Sequence, residues 1–117
     1  MRGKPCLKEL NNMQPFTKNV ITVIQRIPNG KVMTYGQVAA CAGSPRGARQ
    51  VVRILHTMSE KYHLPWHRIV NMKGEITIQD AVRQKALLED EGIVVSPTFT
   101  LNLKHYQYKF DPIDYDF

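Results

Sequence analysis

Between Thr34 and Met58 apolar residues recur at helical spacing, and the run is broken once, at Gly43-Ser44-Pro45. Thr34 is placed to cap a short helix with Val38 and Ala39 inward, and Gly43 to stop it in a left-handed conformation. Ser44 followed by Pro45 reads as a cap with proline at the first helical position. A second helix is therefore expected there, with Val51, Val52, Ile54, Leu55 and Met58 as its buried stripe. Two helices joined by a short glycine-containing turn predict a helix-turn-helix. At 117 residues and 13.5 kDa, the chain has room for one domain around that unit.

The flanking segments suit a small mixed domain. Val20, Ile21, Val23, Ile24 and Ile27 give an amphipathic helix over about 16–27, ended by Pro28-Asn29-Gly30. Val32 and Met33 predict a short strand, and Ile69-Val70 another after the loop that begins at Pro65. Asn71-Met72-Lys73-Gly74 forms a turn, Ile76 and Ile78 alternate as a brief strand, and Asp80 caps a helix over 81–91. That helix is expected to bury Val82, Leu87 and Leu88 and to end at Gly92. Phe99, Leu101 and Leu103 alternate with polar residues, as in a half-exposed strand or wing. The expected organisation is a flexible leader over 1–14, one domain over 15–110 and an acidic tail over 111–117. The fold class is mostly α with short strands, a winged helix-turn-helix-like domain.

Charge is distributed unevenly. Residues 1–31 carry six Lys/Arg against one acid, residues 32–58 carry Arg46, Arg49 and Arg53 against none, and residues 84–117 carry three bases against six acids. A basic first half within a net charge of +6 suits a polyanion on one face, most simply nucleic acid. No apolar run reaches the roughly 20 residues of a membrane span, and the N-terminus lacks the apolar stretch of a signal peptide. A soluble intracellular protein is expected, cytoplasmic and nucleoid-associated in a bacterium or nuclear in a eukaryote. Cys6 and Cys41, without CxxC, HExxH or paired Cys/His spacing, point to neither a disulfide framework nor a metal site. No cofactor is expected, and no heptad seam argues against a monomer.

Arg46, Arg49 and Arg53 lie three and four apart, so on the expected second helix they project together. That is the element which enters a DNA groove in a helix-turn-helix. Small Gly47 and Ala48 would let a sugar-phosphate edge come close, and the helix start at Ser44 offers N–H groups to phosphate. A solvated basic helix would show the same pattern, as would a regulator that reads undamaged sequence.

The loop Pro65-Trp66-His67-Arg68-Ile69 is more specific. Together with Gly30-Lys31-Val32, Thr34-Tyr35-Gly36, Ala48-Arg49-Gln50-Val51 and Leu87-Leu88-Glu89-Asp90-Glu91-Gly92, it resembles the O6-alkylguanine-DNA alkyltransferases. Their signature is Pro-Cys-His-Arg, and tryptophan in the cysteine position marks the non-enzymatic, alkyltransferase-like branch. The similarity runs from about Phe16 to Phe110.

The resemblance implies that Arg49 is the finger that fills the gap left by an extruded guanine and that Tyr35 presses on the 3′ phosphate. Trp66 takes the nucleophile's place, His67 and Glu91 match the residues that activate the thiol in the enzymes, and Arg68 has a structural role. Pro65, Trp66, His67 and Tyr35, with Gln79, are the expected lesion pocket, and Tyr35, Ser44, Arg46, Gly47, Ala48, Arg49 and Arg53 the DNA contacts. The implied partners are duplex DNA carrying O6-alkylguanine and nucleotide excision repair proteins. Indole nitrogen only donates, so Trp66 cannot accept an alkyl group. Residual His67/Glu91-assisted dealkylation is the enzymatic alternative. Two departures stand out: Met58-Ser59 occupies the place of an asparagine hinge, and Gly74–Asp80 lacks the enzymes' Tyr-Ser-containing pocket loop.

Overall fold

The computed structural model describes residues 14–77 and 80–109. Pro15 opens helix α1 (Pro15–Gln25), where its missing N–H has no intrahelical partner to lose, and Val20, Ile21, Val23 and Ile24 are buried along one side. Strand β1 (Met33–Thr34) leads directly into α2 (Tyr35–Cys41) through a reciprocal cap. The Thr34 hydroxyl accepts from the Gln37 N–H at 3.0 Å, and the Gln37 side-chain oxygen accepts from the Thr34 N–H at 3.3 Å. Gly43 adopts φ +103°, the left-handed stop expected of it.

Helix α3 (Ala48–Tyr62) begins later than the sequence suggests. Ser44 does not cap it. Instead the Ser44 carbonyl accepts from the Gly47 N–H at 2.9 Å, so Ser44-Pro45-Arg46 forms a separate turn and Gly47 takes the cap position. The tight turn lets Gly47 be buried against α1, where a β-carbon would lie 2.7 Å from Phe16 Cζ. At its other end α3 stops in left-handed His63, φ +52°, with the Leu64 N–H donating to the Ser59 carbonyl at 2.9 Å.

The chain then forms a one-turn 3₁₀ segment (Trp66–Arg68) and β2 (Ile69–Val70), which pairs parallel with β1, Met33 opposite Ile69 and Thr34 opposite Val70. Alternation along these strands divides the interior. Met33 and Ile69 join the core of α1, α2 and α3, whereas Val32 and Val70 join a second core with Ile76, Leu88, Ile93, Val95 and Leu101. The Trp66 turn thus enters the strand pair that walls one core from the other.

Helix α4 (Ala81–Asp90) buries Leu88 and Gln84. Val82, expected inside, is 72% exposed, and Asp80 precedes the helix without a side-chain cap bond. Val52 of α3 is likewise outside the core at 47% exposure, because the helix turns that position toward a surface cavity. The expected wing is reduced to isolated antiparallel bridges, Glu75 with Thr100 and Val95 with Leu101. Leu103 does not extend it: the Asn102 side chain accepts from the His105 N–H and starts the short helix α5 (Leu103–Tyr106). The Ile78 strand position, the leader through Met13 and the tail from Phe110 lie outside the described residues.

Candidate DNA-lesion site

A cavity of about 610 Å³ opens beside α3, lined by Tyr35, Val52, Leu55, His56, Ser59, Trp66, Thr77 and Asp80. Tyr35 is the first residue of α2, so the Thr34 cap fixes its backbone. Burial raises its hydroxyl pKa and keeps it a neutral donor at physiological pH. Trp66 opens the 3₁₀ turn, is partly buried and packs on the first core. The Arg83 guanidinium of α4 stands 5.7 Å from the Trp66 ring centroid, within cation–π range.

The α3 wall follows one helical stripe, positions 52, 55, 56 and 59. Arg49 lies one turn before Val52 on that stripe, exposed like Arg53, and Arg46 is exposed on the preceding turn. None of the three makes an ion pair among the described residues. Ala48 begins the helix half-buried. All three arginines are exposed, but only Arg49 and Arg53 share the helix, and Arg46 stands on the turn before it. Spacing could have identified Val52, Leu55, His56 and Ser59, since i, i+3, i+4, i+7 is readable in sequence. Their apolar members instead read as core, and nothing local showed that α3 has a cavity on one flank.

At the Trp66 turn, Glu91 collects donors from His67 and Arg68. His67 Nε2 lies 2.6 Å from its Oε2, Arg68 Nε lies 3.0 Å from each oxygen, and Arg68 Nη2 lies 2.8 Å from Oε2. The Gly30 N–H donates at 2.9 Å to Oε1, and Arg68 Nη1 donates at 2.8 Å to the Ile27 carbonyl. Burial alone would raise the Glu91 pKa, but the hydrogen bonds from Arg68, Gly30 and His67 outweigh it and hold the carboxyl at about 2. Glu91 thus ties the Gly30 turn to the Trp66 turn, and Arg68 extends the tie to Ile27 beyond α1. Pro65 and His67 flank Trp66 but do not line the cavity. Gln79 lies outside the described residues, between the cavity-lining positions Thr77 and Asp80.

Among the described residues the free thiol is Cys41, buried in the first core, where burial pushes its pKa up to about 12 against an opposing backbone hydrogen bond. It is neither at the cavity nor ionised at neutral pH. Among the described residues no group of His, Cys, Asp and Glu is arranged to hold a metal ion, and no helix is long and apolar enough to cross a membrane.

Residues 15–93 match the family described as 6-O-methylguanine DNA methyltransferase, DNA binding domain. The chain is 39% identical over 108 residues to the DNA base-flipping protein of Escherichia coli K12, covering 91% of this chain and 84% of that protein. It is 38% identical over 105 residues to Alkyltransferase-like protein 1 of Schizosaccharomyces pombe, covering 83% of this chain and 97% of the relative. Its fold superposes on S. pombe Atl1 in complex with damaged DNA containing O6-carboxymethylguanine with a TM-score of 0.76, over 84% of this chain and 98% of that one, at 38% identity.

Proposed function

Because the chain belongs to the family of the 6-O-methylguanine DNA methyltransferase DNA-binding domain, we propose that it binds O6-alkylguanine in duplex DNA without removing the alkyl group. The damaged nucleotide is turned out of the stack into the cavity between Tyr35 and Trp66. The single observation that carries this reading is the indole of Trp66 in the cavity wall, where the family's enzymes need a thiol.

The physics follows from the geometry. The O6 position of guanine is inaccessible inside a stacked duplex, and extrusion costs a few kcal/mol, less for a lesion that pairs badly. Arg49 leads the cavity stripe of α3 from solvent, placed to occupy the vacated stack with a planar, permanently charged group. Tyr35 supplies a neutral hydroxyl and a fixed ring at the cavity edge, suited to pressing on the adjacent phosphate. The face of Trp66 offers a stacking surface for a purine and its alkyl substituent. Arg46 and Arg53, with half-buried Ala48 and the Ser44 turn, supply phosphate contacts; Gly47, expected among them, is buried against Phe16 with its N–H donated to the Ser44 carbonyl and takes no part.

Among the described residues transfer chemistry lacks its parts. The Trp66 nitrogen donates only, and Cys41 is buried in the first core, outside the cavity lining, and un-ionised. His67, although oriented by Glu91, does not line the cavity and so is not placed to drive water onto an alkyl carbon held there. Two of the relatives support the same reading: the E. coli protein is named for base flipping, and Atl1 is seen on O6-carboxymethylguanine DNA. We propose further that the protein binds as a monomer and that the bound complex marks the site for nucleotide excision repair, since an unaltered lesion still has to be removed.

Titrating labelled duplexes with and without one O6-methylguanine at matched salt tests the reading. Tighter binding to the modified duplex, with no methyl gain in the intact mass of the protein, is expected. Equal affinities, or a methylated Trp66 peptide, overturn it.

A further inference from the structure

Helix α4 buries a polar side chain that the DNA-binding reading does not use. Gln84, on α4, is 1% exposed, one turn before fully buried Leu88. Its amide nitrogen donates at 2.9 Å to the His67 carbonyl and at 3.0 Å to the Ile69 carbonyl, and its own oxygen is buried without a partner among the described residues. An amide left half-satisfied inside a core is costly, and an apolar residue of the same length would avoid that cost. Such a residue would also take the donor from the two carbonyls, which flank Arg68 and bracket the exit from the Trp66 turn.

We propose that Gln84 is a positioning residue for lesion recognition: its buried amide bridges the His67 and Ile69 carbonyls and so sets where Trp66 stands in the cavity wall. The proposal rests on the lesion-binding reading above and assigns that reading's discrimination partly to the interior of the domain. The turn is short, so a shift of the backbone at residue 67 is passed to the neighbouring ring with little damping. Helix α4 holds the turn twice, through the Gln84 amide on its backbone and through Arg83 against the Trp66 ring, from consecutive positions. The Glu91 cluster anchors the side chains of His67 and Arg68, whereas Gln84 anchors the backbone. The two fixings are therefore separable by substitution.

Trp66 is the sole tryptophan of the chain, so its emission reports the turn directly. Gln84→Met keeps length and removes the donor. In the full-length protein it is expected to keep its fold by circular dichroism and its affinity for unmodified duplex. Its preference for O6-methylguanine duplex is expected to drop about tenfold, ~1.4 kcal/mol, with a shifted Trp66 emission in the free protein. Gln84→Glu restores a donor only when its carboxyl is protonated, so its Trp66 emission is expected to return toward wild type on mild acidification. Should Gln84→Met not fold, the wild-type protein still decides: the Gln84 side-chain amide protons are expected to exchange slowly with solvent and to shift when lesion duplex binds. Unchanged preference and emission in folded Gln84→Met, or fast-exchanging Gln84 amide protons in the wild type, overturn the assignment. A wild-type protein without lesion preference defeats the functional reading alone, because the emission change still tests the positioning.

Discussion

The arginines of α3 and the arginine of the Trp66 turn carry the same guanidinium in opposite surroundings. Arg49 and Arg53 stand in solvent without an ion pair among the described residues, while the Arg68 side chain is 17% exposed and bonded to Glu91 and the Ile27 carbonyl. A charge intended for phosphate gains most if it stays hydrated and unpaired until the polyanion arrives, because its binding energy then comes from counterion release. A charge that shapes a cavity must be in place beforehand, and its desolvation is offset only by a carboxylate and further hydrogen bonds. The arginine face of α3 is accordingly built from replaceable surface groups, and the Trp66 turn from groups that cannot be removed singly.

Glu91→Ala strains that contrast hardest. It strips Arg68, His67 and the Gly30 N–H of their shared acceptor at once, and a loss of about 3 kcal/mol in urea unfolding is expected, the range for breaking a buried pair. A loss below ~1 kcal/mol would make the cluster an ordinary surface pair. Acid is expected to act through the same group with a similar size. The Glu91 carboxyl is held at about 2 in the folded chain, against an ordinary 4.5. Its contribution is therefore complete above pH ~4.5 and lost as pH falls toward 2, in total about 3 kcal/mol. Subtracting the unfolding profile of Glu91→Gln isolates it; a difference independent of pH across that window would contradict the depressed pKa.

On the other side of the comparison, Arg49→Ala is expected to leave unfolding within about 0.5 kcal/mol of wild type, as for an exposed position. Its preference for O6-methylguanine over guanine duplex is expected to fall about tenfold, ~1.4 kcal/mol, as read by competition binding. An unchanged ratio would remove Arg49 from the flipping step. Arg53→Gln is expected to show the smallest effect, weakening modified and unmodified duplexes by one common factor. The slope of log K against log salt is expected to become shallower by about 0.9, the share of one phosphate contact. A selective loss on the modified duplex would place Arg53 in recognition.

Much of the fold was legible because it is written in local periodicity. The stripes of α1 and α3, the Thr34 cap and the left-handed Gly43 each depend on residues a few positions apart. The failures have a common cause. Val52 and Val82 are apolar residues at plausible inward spacing, yet both are exposed, because which side of a helix meets the core depends on partners far along the chain. Ser44-Pro45 carries a helix-start signature, but the Phe16 ring packed on Gly47 goes with a separate turn and a later start for α3. The candidate site divides in the same way. Motif resemblance singled out Trp66, Tyr35 and Arg49, while the cavity positions His56, Ser59, Thr77 and Asp80 carried no chemistry that distinguishes them in one dimension.

The identity of residue 66 settled by itself that this family member has no nucleophile in its signature loop, since a side chain's reactivity is a property of its atoms. The sequence likewise determined which helices form and that the arginines cluster, since hydrogen-bonded turns and charge spacing are short-range. Where Trp66 stands was decided only by tertiary structure. Its turn is set by Glu91 from one distant segment and Gln84 from another, 24 and 17 residues beyond the residues they hold. Such contacts exist only once β1 and β2 have paired and the two cores have closed on either side of them.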